Sequence, residues 1–554
     1  MTDSDFTLPD IKITGRATHD GMPWYKVCVA GKDGNSCLVS ADQLDCGAQP
    51  VIDIARSLGY AIATRRDRDK LLEKVGTAIN TQRGQSLPLF KIASQIGWTT
   101  DLLTFVTPQQ FYGRHVDVVG ATDLGVPDHA NYSRSDGSLR DWQDAFRRVL
   151  RKNPLFVFGA CLALMPPLLA LTGRPGCMFV FTGYSSLGKT TLLDFIGSLR
   201  GGKPQPALGF QESFRATANY LENYGLSAND SVLVVDDIRS APGDDKARAK
   251  LIGEAIYLLA TGRQKGRLDG LGKPRSFRTV AVTSDNFSLR TLLANGGIEH
   301  DPSMDVRLIQ IAIPSGKGVI DQQDLTREQR SDQINTIRGA SHRHYGFPLH
   351  KFLKRLLEAQ SEDQEALRST LKARIDRQVK RLLPGGGENT TGRTADYFGL
   401  AYAAGCFAIK NGILPVTKGQ LRDAVAFAYE MHLVAHSGAE AADPISQLRA
   451  ILEEGLERLV VLPVNDRNQH EAAIGFSRKL EGGDEFLFTK VQFDRLLPAG
   501  MIRSRMCDAL HRRGLLNRDV GSSKATVKNT KKVRIGKHRE RVYCISARIL
   551  ASDR

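Results

Sequence analysis

The chain has 554 residues, 41% of them apolar and 25% charged, and a formal net charge of +16. At about 150 residues per domain this length points to three or four domains, and the composition excludes a disordered, collagenous or disulfide-stapled protein. The charge is lopsided: residues 500–554 carry 15 Lys/Arg against 4 Asp/Glu, which implies a polyanionic partner, nucleic acid ahead of a membrane surface. The eight cysteines (28, 37, 46, 161, 177, 406, 507 and 544) are scattered without a C-x-x-C pair, so no zinc site is expected and reduced thiols in a cytoplasm are the reading. The opening MTDSDFTLPD is acidic and polar, unlike a secretory leader.

In chain order, residues 6 to about 45 alternate polar and apolar, and GKDGN between two such runs signals a hairpin, so a β-rich module is expected first. RDKLLEKVGTAINTQ (68–82) reads as an amphipathic helix and IGWTTDLLTFVTPQQFYG (96–113) as short strands. Residues 121–137 are loop-like, and Ser138, with Asp141 three residues on, caps a helix through DWQDAFRRVL. LFVFGACLALMPPLLAL (155–171) is uncharged, but it is short for a bilayer span and Pro166-Pro167 interrupts it. It reads as a buried helix pair, and no membrane is expected.

CMFVFT (177–182) is a strand, and TTLLDFIGSL after Lys189 has helical periodicity. DSVLVVDDI (230–238) is a buried strand ending in two acids; FRTVAVT (277–283), followed by SDN, and VRLIQIAI (306–313) are further strands. Strands alternating with helices give an α/β sheet whose ligand sits at the strands' C-terminal ends. Residues 321–440 are helical, broken at LPGGGENTTG (383–392), and SGAEAADP (437–444) is a linker. The last domain reads helix, helix, wing: FLFTKVQFDRLLP, MIRSRMCDALHRRG, and two strands ending in RVYCIS.

GYSSLGKTT (183–191) fits G-x-x-x-x-G-K-[ST] at a strand-to-helix turn, the context of a phosphate-binding P-loop. Glycines let such a loop curl around phosphate, and its amides and the helix N-terminus bind the anion; Gly183, Ser185, Ser186, Gly188, Lys189, Thr190 and Thr191 are the candidates. Lys189 would neutralise the β- and γ-phosphates of ATP, Thr190 would offer its hydroxyl to Mg2+, and Asp236 would hold the metal through its water shell. Asp237 would orient or deprotonate the attacking water.

Several blocks resemble a bacterial family first labelled only as a domain of unknown function (number nine-two-seven), which includes the Cch-type MCM-like helicases of staphylococcal cassette elements. They are IGWTTDLLTFVTP, SLRDWQDAF, GYSSLGKTTLLDF, RATANYLE, NDSVLVVDDI, AIYLLATGRQKGRLDG, VRLIQIAIP, HYGFPL and GRTADYFGLAYAAGCFAIKNGILP, in family order from about 96 to 435. The resemblance implies a P-loop AAA+ ATPase that assembles into a ring, expected to be a hexamer, and translocates on DNA. By position, Arg307 in MDVRLIQI matches a finger arginine that reaches the γ-phosphate held by a neighbouring subunit. Arg393 matches the sensor-2 arginine, and Ser284 or Asn286 the polar sensor that positions water. RQKGRLDGLGKPR (263–275) matches a hairpin that projects into the ring's channel, with Lys265, Arg267, Lys273 and Arg275 gripping phosphate and Gly270 and Gly272 at the tip. A C-terminal winged helix would set IRSRMCDALHRRG (502–514), with Arg512 and Arg513, in or near a major groove. Lys524, Lys528, Lys531, Lys532, Arg534, Lys537 and Arg539 would lie along the backbone.

Two features depart from the family. It usually carries Asp-Glu where this chain has Asp236-Asp237, which sets the second carboxylate ~1 to 1.5 Å further back. The short stretch from Lys189 to Asp236 also leaves little room for the helix-2 insert of eukaryotic and archaeal MCM proteins. The architecture expected is an N-terminal α+β region (1–95), a P-loop core of parallel sheet flanked by helices (96–320), a helical lid (321–440) and a basic winged helix (445–554). The activity expected is an ATP-driven DNA helicase serving a mobile element or prophage-like island. An ATP-switched origin-binding initiator or loader, and a small-molecule phosphotransferase, are the alternatives.

Overall fold

The computed structural model describes residues 8–550 apart from 20, 31–34, 83–86, 94, 109, 115–116, 119–133, 184–186, 206–208, 216–217, 264–275, 287–288, 290–291, 294–295, 299–301, 315–317, 321–325, 384–388, 438–443, 465–472, 481–482, 498–502, 521–526 and 537. The chain packs as two compact units, residues 1–285 with 296–432, and residues 286–295 with 433–554.

The first unit opens with an antiparallel sheet of β1 (Ile11–His19), β2 (Met22–Val29) and β3 (Ser36–Ser40). Ile13, Val27 and Val39 close its buried face on helices α1 (Gln49–Ser57) and α2 (Arg65–Thr81). α2 starts before the predicted residue 68 because Thr64 and Asp67 form a capping box, each side chain bonding the other's amide. Three short antiparallel strands follow, β4 (Gly97–Trp98), β5 (Thr104–Val106) and β6 (Phe111–Gly113).

Helix α3 (Leu139–Lys152) is capped by Ser138, whose Oγ accepts from the Asp141 amide at 3.1 Å. The uncharged run divides at its prolines into α4 (Pro154–Leu164) and α5 (Pro166–Leu171), and Leu155 to Leu164 are all buried. A helix apolar on every side belongs in a core. Among the described residues, no helix is long and apolar enough to cross a membrane.

The central elements are β7 (Cys177–Thr182), α6 (Lys189–Arg200), β8 (Glu212–Ser213), α7 (Ala218–Ser227), β9 (Ser231–Asp236), α8 (Asp245–Thr261), β10 (Thr279–Asp285), α9 (Pro302–Arg307) and β11 (Leu308–Ala312). All five strands are parallel, in the order β8-β9-β10-β7-β11. Val306 and Arg307, expected in the last strand, end α9 instead. Helices α10 (Arg327–Arg343), α11 (Phe347–Glu362), α12 (Gln364–Leu382), α13 (Asn389–Lys410) and α14 (Lys418–Ser437) complete the helical region. α13 begins inside the segment expected to be a break. One hydrophobic core runs from Ile96 to Tyr429, so the expected ATPase core and lid are a single packed body.

The second unit contains α15 (Pro444–Gly455), β12 (Leu459–Val461), β13 (Gly475–Arg478), β14 (Glu485–Phe488), α16 (Lys490–Leu496), α17 (Arg503–Arg512), β15 (Leu516–Asn517), β16 (Lys531–Ile535) and β17 (His538–Ser546). Its sheet runs β12-β13-β14-β17-β15, with β16 paired to β17. FLF, expected to start a helix, lies in strand β14 with all three side chains buried, and Thr489 then caps α16.

Asp230 staples the first unit together. It is fully buried; its carboxylate accepts from the Trp98 amide at 2.9 Å and from Arg278 Nε at 2.9 Å and Nη2 at 3.2 Å. Burial pushes its pKa up, while the Arg278 guanidinium and the Trp98 amide hold it down. Arg278→Ala would leave a buried charge without its counterion. Because the Arg278 side chain is itself 40% exposed, a loss of about 2–3 kcal/mol is expected, below the range for a fully enclosed pair, read as a lowered urea midpoint. Adding Asp230→Asn should recover part of it.

Candidate functional site

Strand β7 is buried along its whole length and ends where the glycine loop begins. The Gly183 amide donates to Asp285 O at 3.1 Å, and the Ile313 amide donates to Thr182 O at 2.7 Å, so both neighbouring strands brace the start of the loop. At its far end Gly188 has φ +85°, and a Cβ there would fall 2.6 Å from Val319 Cγ2. Only glycine fits that combination of backbone and space. Gly188 also precedes the first turn of α6, so the free amides of a twelve-residue helix begin there.

Lys189 is 8% exposed, and its Nζ donates to Gly183 O at 2.6 Å. Burial lowers its pKa to about 8, against the pull of Asp285 and Asp237. Thr190 is exposed at the helix start, whereas Thr191 is buried. Ser185 and Ser186 lie outside the described residues.

Asp236 ends β9, half-buried. Burial raises its pKa, as do the charges of Asp237 and Asp194, while the Asp237 amide and Arg338 lower it. Asp237 is exposed, with φ +25°. At the end of the adjacent strand β10 stands Asp285, 1% exposed and in register with Thr182. Of the two polar sensor candidates, Ser284 is buried within β10 and Asn286 directly follows its last residue. At the end of β10 the group whose charge reaches Lys189, as Asp237 does from the end of β9, is Asp285, which the SDN triplet contained but hydroxyl and amide chemistry did not single out.

A second acid was not legible in the sequence. Asp194 lies on α6 with no exposure; its Oδ1 accepts from Gln211 Nε2 at 3.1 Å, and its Oδ2 accepts from Arg338 Nε at 3.0 Å and lies 3.6 Å from His342 Nε2. A glycine cradle, a buried ammonium, a helix N-terminus and clustered carboxylates are together what a polyphosphate and its divalent cation require.

Arg307 and Arg393 lie at the other end of the strands. Arg307, half-buried, immediately precedes the first residue of β11 and sits 5.3 Å from the Tyr257 ring centroid. Arg393 is exposed in the first turn of α13; one turn on, Asp396 pairs with Arg174 and Tyr397 Oη donates to Gly176 O at 3.2 Å, just before β7. A six-residue strand spans roughly 20 Å, so neither arginine meets the glycine loop of its own chain.

In the second unit the β16–β17 hairpin sets Lys532 opposite Arg541 and Arg534 opposite Arg539, all four exposed, over buried Val533, Ile535 and Val542. Like charges directly across a ladder repel, so this face favours an anionic partner. Arg541 belongs with the expected wing residues and was missed. Lys531 is half-buried on the same strand, Arg513 is exposed after α17, and Arg512 ends that helix. Lys265, Arg267, Lys273, Arg275, Lys524 and Lys537 lie outside the described residues.

Residues 39–278, a little under half of the chain, match a family profile described as "Domain of unknown function (DUF927)". A solved structure named "SCCmec type IV Cch - active helicase" is similar over 100% of this chain and 97% of that one, with a TM-score of 0.56 and 15% identity. At that identity the likeness is one of fold. No curated protein matches the chain.

The buried lysine predicts a pH dependence. Below about 8 the Lys189 ammonium is available to phosphate; above it, burial favours the neutral amine. Affinity for a nucleoside triphosphate, measured by calorimetry from pH 7 to 9.5, should fall above pH 8 toward about tenfold per pH unit.

Proposed function

We propose that the protein is an ATP-driven DNA helicase of the MCM-like AAA+ kind, working as a ring, expected to be hexameric. The observation that carries this reading is the placement of Lys189, Asp236 and Asp285 at one end of a parallel sheet, in a fold that an active helicase shares over its whole length. Lys189 binds the β- and γ-phosphates, while Thr190 and Asp236 hold Mg2+. The residues fit such a group: the buried Lys189 ammonium stands where the free amides of α6 begin, and the Asp236 carboxylate ends a strand of the same sheet. Bound magnesium would offset charge on the phosphates. Asp237 orients the attacking water, and Asp285 keeps the lysine ammonium directed toward the site.

The remaining charge compensation comes from outside the chain. Arg307 and Arg393 are at the opposite end of the strands, so they serve the phosphate bound by a neighbouring copy, and hydrolysis depends on assembly. The cationic β16–β17 face, together with Arg512, Arg513 and Lys531 in a winged-helix role, takes the DNA backbone, and residues 263–275 provide the channel contacts.

Lys189→Ala should abolish ATP hydrolysis and strand displacement on forked DNA. Arg307→Ala should abolish hydrolysis while nucleotide binding persists. An equimolar mixture of the two variants should regain part of the hydrolysis, because each supplies what the other lacks. Hydrolysis indifferent to DNA, or a mixture as inactive as its components, would sink the reading; ATP-dependent assembly on DNA without strand displacement would favour the initiator.

A further inference from the structure

The segment after β8 carries an aromatic group that phosphate chemistry leaves unused. Tyr220, on α7, is 51% exposed; among the described residues the other large apolar side chains at the surface are aliphatic. The ring is held in place. It meets Tyr224 edge-to-face, with centroids 4.9 Å apart at 81°, and Tyr224 is buried and hydrogen-bonded to Glu212 of β8. Further along the helix, a Cβ on Gly225 would fall 2.2 Å from the Phe277 ring, so α7 is pressed against the start of β10. Arg215 is exposed two residues beyond β8, and its amide donates to Ser213 Oγ at 3.1 Å. Ser213 pairs in register with Asp236.

A fixed, exposed aromatic face with a guanidinium a few residues away suits single-stranded nucleic acid, whose bases offer free π-faces that a duplex hides between its base pairs. We propose that Tyr220 stacks on an unpaired base of single-stranded DNA while Arg215 takes a neighbouring phosphate. The Ser213–Asp236 pairing links this grip to the end of the sheet that holds the nucleotide. A change in position of the acid strand is passed to β8, then to the segment carrying Tyr220. The proposal rests on the DNA-motor reading and adds to it the residue that tells unpaired strand from duplex.

The test uses the full chain with a non-hydrolysable ATP analogue, and fluorescence anisotropy on an oligothymidylate and on a blunt duplex of equal length. Tyr220→Ala should weaken single-strand binding about tenfold and leave the slope of log affinity against log salt unchanged, because stacking releases no counterions. Tyr220→Phe, which keeps the ring, should bind like the wild type. Arg215→Ala should reduce the slope by about 0.7, the value for one phosphate contact on a single strand. Duplex binding should not respond to Tyr220→Ala. Single-strand binding by Tyr220→Ala within twofold of wild type, or a loss shared equally by Tyr220→Phe, overturns the proposal. A wild-type chain that binds neither DNA overturns the motor reading and takes this proposal with it.

Discussion

Asp194 is a carboxylate without solvent, and a buried charge left uncompensated costs about 3–5 kcal/mol. The compensation comes from Gln211, leading into β8, and from Arg338 on α10; His342 of the same helix stands 3.6 Å from the carboxylate. Asp194 follows Thr190 by four residues, which places the two on the same side of α6, one turn apart. The groups that satisfy the buried acid therefore also frame the loop's working side. Asp236 registers both Asp194 and Arg338, so any shift of α10 alters the field at the acid strand. The glycine loop, the edge of the sheet and the first helix of the helical region are held to one another through a single side chain.

That coupling gives the polarity of the parallel sheet its consequence. Strand direction gathers Gly183, Lys189, Asp236 and Asp285 at one end and leaves Arg307 and Arg393 at the other. Lys189 is the cation that the turn after β7 brings to the loop. On the reading proposed here, a copy of the chain has a binding half and a completing half, and they face different neighbours. The Tyr257 ring, 5.3 Å from the Arg307 guanidinium, adds a cation–π attraction at the completing end.

Local rules made most of the architecture legible. The P-loop string, the strand before it, the Ser138 cap and the proline break in the uncharged run each depend on neighbours within a few residues. What escaped depends on distant ones. Asp194 reads as an ordinary polar position on an amphipathic helix until Arg338, 144 residues later, is seen to reach it. Asp285 was obscured by the adjacent serine and asparagine, and only the register with Thr182 puts the acid rather than its neighbours at the strand end. FLF read as helix because a short apolar run has no period of its own; its pairing with β17 decides the matter. Arg541 was invisible as a member of the cationic face until the hairpin register set it opposite Lys532.

Backbone conformation also accounts for the Asp-Asp pair, the point at which this sequence departs from the Asp-Glu pattern of the family it resembles. Asp237 follows the last residue of β9 with φ +25°, on the left-handed side where most side chains are strained. Aspartate and asparagine enter that region more readily than other residues, because a short polar side chain can bond locally to the backbone, and glutamate has no such advantage. The shorter acid is thus the one the turn accepts. Its carboxylate gives up a methylene of reach, yet its charge still opposes the drop in Lys189 pKa. An aspartate on a left-handed backbone ties the acid's position to a backbone angle instead of a side-chain rotamer.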